Sequence, residues 1–255
     1  MTARAAYRAL SADPVMAGLI AAAGPYRPEP MPDQPPFEVL VRAIAHQQLH
    51  GVAAQRILAR FVDAFGNGCF PSPQQVIDAE DARLRACGLS YAKIAAVKDL
   101  AAKTIAGIVP VRSELDALPD LEIIQRLTEV RGIGRWTVEM MLMFQLQRPD
   151  VLPVDDFAVR NGFRLAYRLR GMPRARALAL FGERWKPHRS LAAWYLWRAN
   201  DLARRKLLPH GGRPPRIALQ PAPKPAAKKS ASRKKTTTAT ATRSRRRRAP
   251  KSAHK

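Results

Sequence analysis

Two glycines and a pair of carboxylates are the groups in this sequence best suited to chemistry. Gly132 and Gly134 lie in the run VRGIGRWT, and Asp155 and Asp156 follow about twenty residues later in the run LPVDDF. A glycine turn can bind a phosphate through its backbone N–H groups, and a carboxylate can stabilise a developing positive charge. Together they suggest a DNA-anchoring turn coupled to a single acidic catalyst.

The glycines must be positioned by two helices. Residues 121–127 carry apolar side chains at helical spacing, and Asp120 is expected to be the N-cap of this helix. Glycine takes backbone angles forbidden to other residues, so the chain reverses at once and Arg135 begins a second helix. The free N–H groups there can bind a phosphate oxygen without reading a base. Taken alone, the pattern also fits an ordinary αα-hairpin, and the residues downstream favour the anchoring role.

Four blocks occur together and in a fixed order. They are FEVLVRAIAHQQL from Phe37, GIGRWT from Gly132, LPVDDF from Leu152 and RWKPHRS from Arg184. In these blocks, which extend over roughly residues 37 to 200, the chain resembles the helix-hairpin-helix base-excision DNA glycosylases, most closely the 3-methyladenine DNA glycosylase II branch. The resemblance implies an all-α fold of two helical subdomains that contain the helix-hairpin-helix motif, with the active cleft between them.

The resemblance also implies that Asp156 is catalytic. Cleavage of an N-glycosidic bond builds positive charge on the deoxyribose, so a carboxylate beneath C1′ stabilises the transition state and can orient the attacking water. Asp155 is the alternative, and its structural role would be to cap the helix that begins near Phe157. Relatives that also nick the strand place a Schiff-base lysine directly after Gly-x-Gly-x. This chain has Trp136 there, which implies a monofunctional hydrolase that leaves an abasic site.

Tryptophans are expected to form the base pocket. Alkylated purines such as 3-methyladenine and 7-methylguanine carry positive charge, so the indole face of Trp136 attracts them by cation–π and stacking forces. Trp197 matches the other pocket tryptophan of the family. The alternative is that Trp185, Trp194 and Trp197 are core residues, because 194 and 197 share a helix face. We expect Trp185 and Trp194 to be core residues, and we expect Trp197 to line the base pocket.

The expected DNA contacts fall in two segments. The DNA-binding residues implied by the resemblance are Gly132, Gly134, Arg135, Thr137, Gln47 and Gln48. Gln47 and Gln48 align with the loop that enters the minor groove, where a side chain fills the hole left by an extruded nucleotide. Gln48 aligns with this wedge, and its alternative is a polar residue at a helix end. We interpret His46 and His50 as polar loop residues, because no third metal ligand follows at a useful spacing.

Charge favours a DNA-facing protein with a separate basic tail. The formal net charge is +24 over 255 residues, which implies attraction to polyanions and steep salt dependence of binding. Residues 213–255 hold 15 of the 44 Lys and Arg and no Asp or Glu, so residues 1–212 hold 29 basic and 20 acidic side chains. The tail is nearly free of large apolar residues and is expected to be disordered. We therefore predict a glycosylase domain over 1–212 and a disordered tail over 213–255.

Other classes of protein are disfavoured. Cys69 and Cys87 cannot form a four-cysteine iron–sulfur cluster or a zinc pattern, so no cofactor and no metal are expected. Both are interpreted as buried or free thiols in a reducing cytoplasm. Asp13 and Pro14 interrupt the N-terminal apolar stretch, and no segment approaches the ~20 apolar residues of a membrane span. The predicted partner is double-stranded DNA with alkylated bases, bound by a monomer in a bacterial-type cytoplasm near the nucleoid.

Apolar spacing predicts helices nearly throughout residues 1–212. The predicted helices are 4–11, 13–23, 36–48, 51–65, 73–78, 80–86, 90–108, 112–116, 120–128, 135–147, 155–168, 173–183 and 187–204. Two functions are compatible with these features: a monofunctional DNA glycosylase, and a non-catalytic helix-hairpin-helix protein that binds damaged DNA. The carboxylate of Asp156 and the pocket aromatics favour the enzyme, because a protein that binds only the DNA backbone needs neither.

Overall fold

The computed structural model describes residues 3–27, 33–66 and 68–209, and in these ranges it contains α-helices, one short 3₁₀ helix and no strand. The tail predicted at 213–255 lies outside them. The α-helices are α1 (Ala3–Leu10), α2 (Pro14–Ala23), α3 (Pro36–His46), α4 (Gly51–Phe65), α5 (Pro73–Asp78), α6 (Asp81–Ala86), α7 (Tyr91–Ile105), α8 (Arg112–Ala117), α9 (Asp120–Thr128), α10 (Arg135–Phe144), α11 (Phe157–Ala166), α12 (Ala175–Gly182) and α13 (Arg189–Arg204), and the 3₁₀ helix is Glu183–Trp185.

Proline and capping side chains fix where several helices begin. Pro14, Pro36 and Pro73 lie in the first turns of α2, α3 and α5, where a missing N–H removes no helical hydrogen bond. Ser72 and Gln75 form a capping box at the start of α5. These signals are local, so the predicted starts of the three helices lie within one residue of the observed ones.

The helices α3 and α10 end two and three residues before their predicted ends, which is within the several residues allowed for such boundaries. The helix predicted through residue 48 ends at His46, because Gln47 is extended and Gln48 takes a φ of 57°. The helix predicted through residue 147 ends at Phe144, and Gln147 takes a φ of 51°. Glutamine is a good helix former, so only the tertiary structure shows that the chain turns at these positions.

Asp120 is the first residue of α9, and its predicted role as the N-cap is wrong. The cap position belongs to Pro119, whose ψ of 145° is extended. The Asp120 carboxylate instead forms an ion pair with Arg148, with 3.3 Å between Oδ1 and Nε. Burial raises the pKa of Asp120, and the charge of Arg148 opposes this effect.

The described residues form helices and no strand, which confirms the predicted all-α fold. Among the helices from α3 to α10, α3 packs on α4 and α7, α7 packs on α5 and α6, and α9 packs on α10. In addition, α2 and α11 pack on α13, α1 packs on α2, and α12 packs on α11. At Gly162 a Cβ atom would lie 1.8 Å from the carbonyl oxygen of Leu196, so the close contact of α11 with α13 requires glycine there. These helices contribute to one hydrophobic core.

Candidate active site

The turn between α9 and α10 exposes backbone N–H groups. Gly132 takes a φ of 78°, which favours glycine, and Gly134 is the N-cap of α10 without a capping side chain. The N–H of Ile133 donates to the carbonyl of Val130 at 3.0 Å, and both side chains are buried. The N–H groups of Gly132, Gly134 and Arg135 have no acceptor within the described part of the chain. A phosphate can therefore bind here at the positive end of the helix dipole.

Two side chains of α7 hold this turn. The Asp99 carboxylate accepts the N–H of Arg131 at 2.7 Å, and the Lys103 ammonium donates to Asp99 at 2.7 Å and to the carbonyl of Glu129 at 2.6 Å. Burial raises the pKa of Asp99, but the hydrogen bonds and charges of Arg131 and Lys103 outweigh it, so the pKa lies below its usual value. The turn is thus fixed before any DNA binds.

The loop between α3 and α4 lies against the same turn. The side-chain amide of Gln47 donates to the carbonyl of Gly132 at 2.8 Å, and Lys93 donates to the carbonyl of Ala45 at 2.8 Å. Gln48 is exposed with a positive φ, and Leu49 beside it is 40% exposed. The structure brings the predicted wedge loop and the predicted phosphate anchor together, while the wedge role of Gln48 stays a prediction.

Asp156 is held by three N–H groups. Its Oδ1 accepts the backbone N–H of Val159 at 2.7 Å and the indole N–H of Trp197 at 3.1 Å. Its Oδ2 accepts the indole N–H of Trp136 at 2.7 Å. Every partner is a donor, which suits an ionised carboxylate because that group only accepts. The arrangement fixes a negative charge at one position and orientation.

Asp156 is also the N-cap of α11, so the capping role expected for Asp155 is wrong. Asp155 is exposed, and no hydrogen bond or ion pair to it is present among the residues that the structure describes. Two adjacent aspartates both satisfy the sequence pattern for a cap. The three-dimensional position of the indoles distinguishes them, since both indole N–H groups reach Asp156.

A cavity of about 380 Å³ lies between α3 and α10. Trp136, Met140 and Phe144 follow each other along α10 at intervals of four residues and line one wall. Trp136 is 49% exposed, whereas its predicted partner Trp197 is not among the residues that line this cavity. The rings of Phe144 and Trp197 are stacked with 5.8 Å between centroids. The pocket role of both tryptophans stays a prediction. Sequence reasoning missed Met140 and Phe144, which the four-residue spacing could have indicated.

Glu139 is a second buried carboxylate near Asp156 that the sequence analysis missed. Its side chain is 4% exposed and forms an ion pair with Arg135, with 2.8 Å between Oε1 and Nε. Burial raises the pKa of Glu139, Arg135 lowers it, and the charges of Asp155 and Asp156 raise it further. The pairing holds the guanidinium of Arg135 close to the anchoring turn. The spacing of four residues on one helix could have indicated this pair.

The remaining tryptophans occupy aromatic surroundings. Trp185 is 2% exposed, which confirms the prediction of a core residue. Trp194 is only partly buried and packs on Tyr26, with 5.0 Å between ring centroids. Tyr26 and Trp194 line a second cavity of about 520 Å³, whose wall also includes Phe144 and His188. Phe144 therefore lines both cavities.

The cysteines and the potential metal ligands add no further chemistry to this site. Both cysteines are free; Cys69 is exposed and Cys87 is buried, and burial raises the pKa of the Cys87 thiol. No group of three or more potential metal ligands occurs in residues 3–27, 33–66 and 68–209. In the same ranges no helix combines the length and the apolar composition needed to cross a bilayer.

Comparison with known proteins shows to which family this chain belongs. Residues 41–187 match the HhH-GPD superfamily of base excision DNA repair proteins. DNA-3-methyladenine glycosylase 1 of Schizosaccharomyces pombe is 45% identical over 186 residues, which cover 72% of this chain and 82% of the relative. The solved structure of a 3-methyladenine DNA glycosylase from that yeast, in complex with abasic DNA, matches with a TM-score of 0.69 and 44% identity, over 78% of this chain and 97% of that one. A DNA-3-methyladenine glycosidase structure from Bacillus halodurans matches with a TM-score of 0.70 and 31% identity, over 77% and 89%.

Proposed function

The chain belongs to the HhH-GPD superfamily of base excision DNA repair proteins, and we propose that it is a monofunctional DNA glycosylase that releases alkylated purines. The relatives named as 3-methyladenine DNA glycosylases and glycosidases support this reaction. The observation that carries the proposal is the Asp156 carboxylate, held by the indole N–H groups of Trp136 and Trp197. Trp136 joins this charge to the cavity, because its ring also lines the cavity wall.

The carboxylate supplies the main electrostatic contribution. As the N-glycosidic bond breaks, positive charge develops on the deoxyribose, and the fixed charge of Asp156 stabilises it and orients the attacking water. A cationic alkylated purine leaves as a neutral base, so the reaction needs no acid to protonate it. The ring of Trp136 attracts the cationic base before cleavage by cation–π and stacking forces. Asp156 and Trp136 thus act on the sugar and on the base, respectively.

The turn between α9 and α10 and the residue that follows it support the proposed DNA binding and the proposed reaction type. The free N–H groups at Gly132, Gly134 and Arg135 provide a sequence-independent phosphate anchor for duplex DNA, bound by one copy of the chain. The residue that follows them, Trp136, has no amine and cannot form a Schiff base with the sugar. The product of the proposed reaction is therefore an abasic site in an intact strand.

The test is an incubation of the purified protein with duplex DNA treated with a methylating agent. We expect free 3-methyladenine or 7-methylguanine in the supernatant, measured by mass spectrometry, and abasic sites without strand breaks. If the protein binds the methylated DNA but releases no base, the alternative of a non-catalytic protein that binds damaged DNA replaces this proposal. Release of strand fragments without added base would contradict the monofunctional reaction.

A further inference from the structure

The cavity between α3 and α10 contains one buried amide that the proposed chemistry does not use. Gln145 follows Phe144 at the end of α10, is 9% exposed and lines the cavity. Its backbone N–H donates to the carbonyl of Met141 at 2.9 Å. Its side-chain amide has no hydrogen bond to any residue that the structure describes. This side chain can both donate and accept, and it lies beside the apolar residues Met141 and Phe144 in the cavity wall.

Gln145 lines the cavity, and its amide is not fully enclosed by protein. In the described part of the chain, Trp185 Nε1 is the one fully enclosed side-chain polar atom without a hydrogen-bond partner. The amide atoms of Gln145 are therefore without a protein partner but not walled in. A buried polar group that lacks a partner is costly, so such groups are normally paired with water or with a ligand.

Gln145 lies at the opposite end of the cavity wall from the catalytic carboxylate. Trp136 begins α10 and binds Asp156, whereas Gln145 follows the last residue of the helix. The helical rise of about 1.5 Å per residue places the two ends about 13 Å apart along the axis. Trp136 and Gln145 line the same cavity, so a purine whose sugar lies beside Asp156 can extend its far edge, which carries hydrogen-bonding groups, along α10 toward Gln145.

We propose that the side-chain amide of Gln145 hydrogen-bonds the edge of the extruded purine and helps to select purines with an adjacent donor and acceptor. The inference rests on the proposed glycosylase function. On the edge far from the sugar, an amide can pair with the N6–H donor and the N1 acceptor of adenine. Rotation of the amide by a half turn matches the O6 acceptor and the N1–H donor of a guanine-type base. Gln145 thus determines which bases fit, while Trp136 supplies attraction for their charge.

The test uses Gln145→Met in the full chain, because methionine has a similar length and no hydrogen-bonding group. We expect kcat/KM for release of 7-methylguanine from a duplex to fall about threefold to tenfold, the effect of one lost hydrogen bond. Inhibition by free 3-methyladenine should weaken by a similar factor. Affinity for a duplex with a tetrahydrofuran abasic analogue should stay unchanged, since that ligand has no base. The matched control is Gln125→Met, an exposed glutamine on α9.

The outcomes separate the two proposals. Equal kcat/KM and equal inhibition in Gln145→Met and wild type would overturn the inference while leaving the glycosylase function intact. A parallel loss of affinity for the abasic duplex or of thermal stability would assign Gln145 a structural role and also overturn the inference. A wild-type protein that releases no base would refute the proposed function itself, and the inference with it.

Discussion

The side-chain amide of Gln47 donates a hydrogen bond to the carbonyl of Gly132, 85 positions away in the sequence. This bond links the loop after α3, which is predicted to enter the minor groove, to the turn that is predicted to bind a phosphate. Asp99 and Lys103 hold the other side of the same turn. The two DNA-facing segments therefore form one unit, so that anchoring the phosphate also positions the loop.

Removal of this link should loosen the turn. In Gln47→Leu we expect faster hydrogen exchange for the hydrogen-bonded backbone amides of the turn, because the Gly132 carbonyl loses its partner; these amides are those of Glu129, Val130, Arg131 and Ile133. The protein should otherwise stay folded, since Gln47 is not part of the hydrophobic core. Mass-spectrometric hydrogen exchange measures the effect, with Gln125→Leu as the control. Unchanged protection of the turn would show that the bond does not hold it.

Asp156→Asn should abolish base release without unfolding the protein. Asparagine is as good an N-cap as aspartate, so α11 is retained, but the negative charge that stabilises the sugar is lost. We expect the single-turnover rate on methylated DNA to fall at least about 100-fold, with DNA affinity largely preserved. The control is Asp155→Asn, which should retain a rate near that of wild type. Near-normal turnover in Asp156→Asn would remove this residue from the catalytic role.

Borohydride should not trap a covalent complex between this protein and DNA. Trapping requires a Schiff base between an amine and C1′ of the sugar, and position 136 carries an indole. The measurement is gel electrophoresis after borohydride treatment of the protein with damaged duplex. A superfamily member that nicks the strand serves as the positive control. A trapped adduct of the purified chain would overturn the monofunctional reaction.

Deletion of residues 213–255 should weaken binding to undamaged DNA and flatten its salt dependence. We propose that the 15 basic residues of this segment act as a sequence-independent electrostatic arm. When the shortened protein binds DNA, fewer counterions are therefore released from the phosphates. Single-turnover excision at saturating protein should stay close to that of the full chain, because Asp156 and the anchoring turn are retained. An unchanged affinity and salt slope would assign the segment to a different partner.

Local patterns predicted most of the helices but not the contacts that complete the site. Apolar spacing and proline at helix starts are properties of neighbouring residues, and the starts of α2, α3 and α5 follow from them. The hydrogen bond from Gln47 to Gly132 joins segments that are distant in the sequence, so local patterns could not predict it. Asp155 and Asp156 are equivalent as caps, so their roles depend on where the indoles of α10 and α13 lie. Gln145 was included in a predicted helix, and its burial in a cavity wall depends on α3.

Phe144 lines two neighbouring cavities. It belongs to the wall of the α3–α10 cavity and to the wall of the larger cavity lined by Tyr26 and Trp194. A shorter side chain at this position, such as alanine, would join the two spaces into one chamber with aromatic rings at its far end. We therefore expect substitution of Phe144 to change the size of the bases that the site accepts while leaving Asp156 and Trp136 in place.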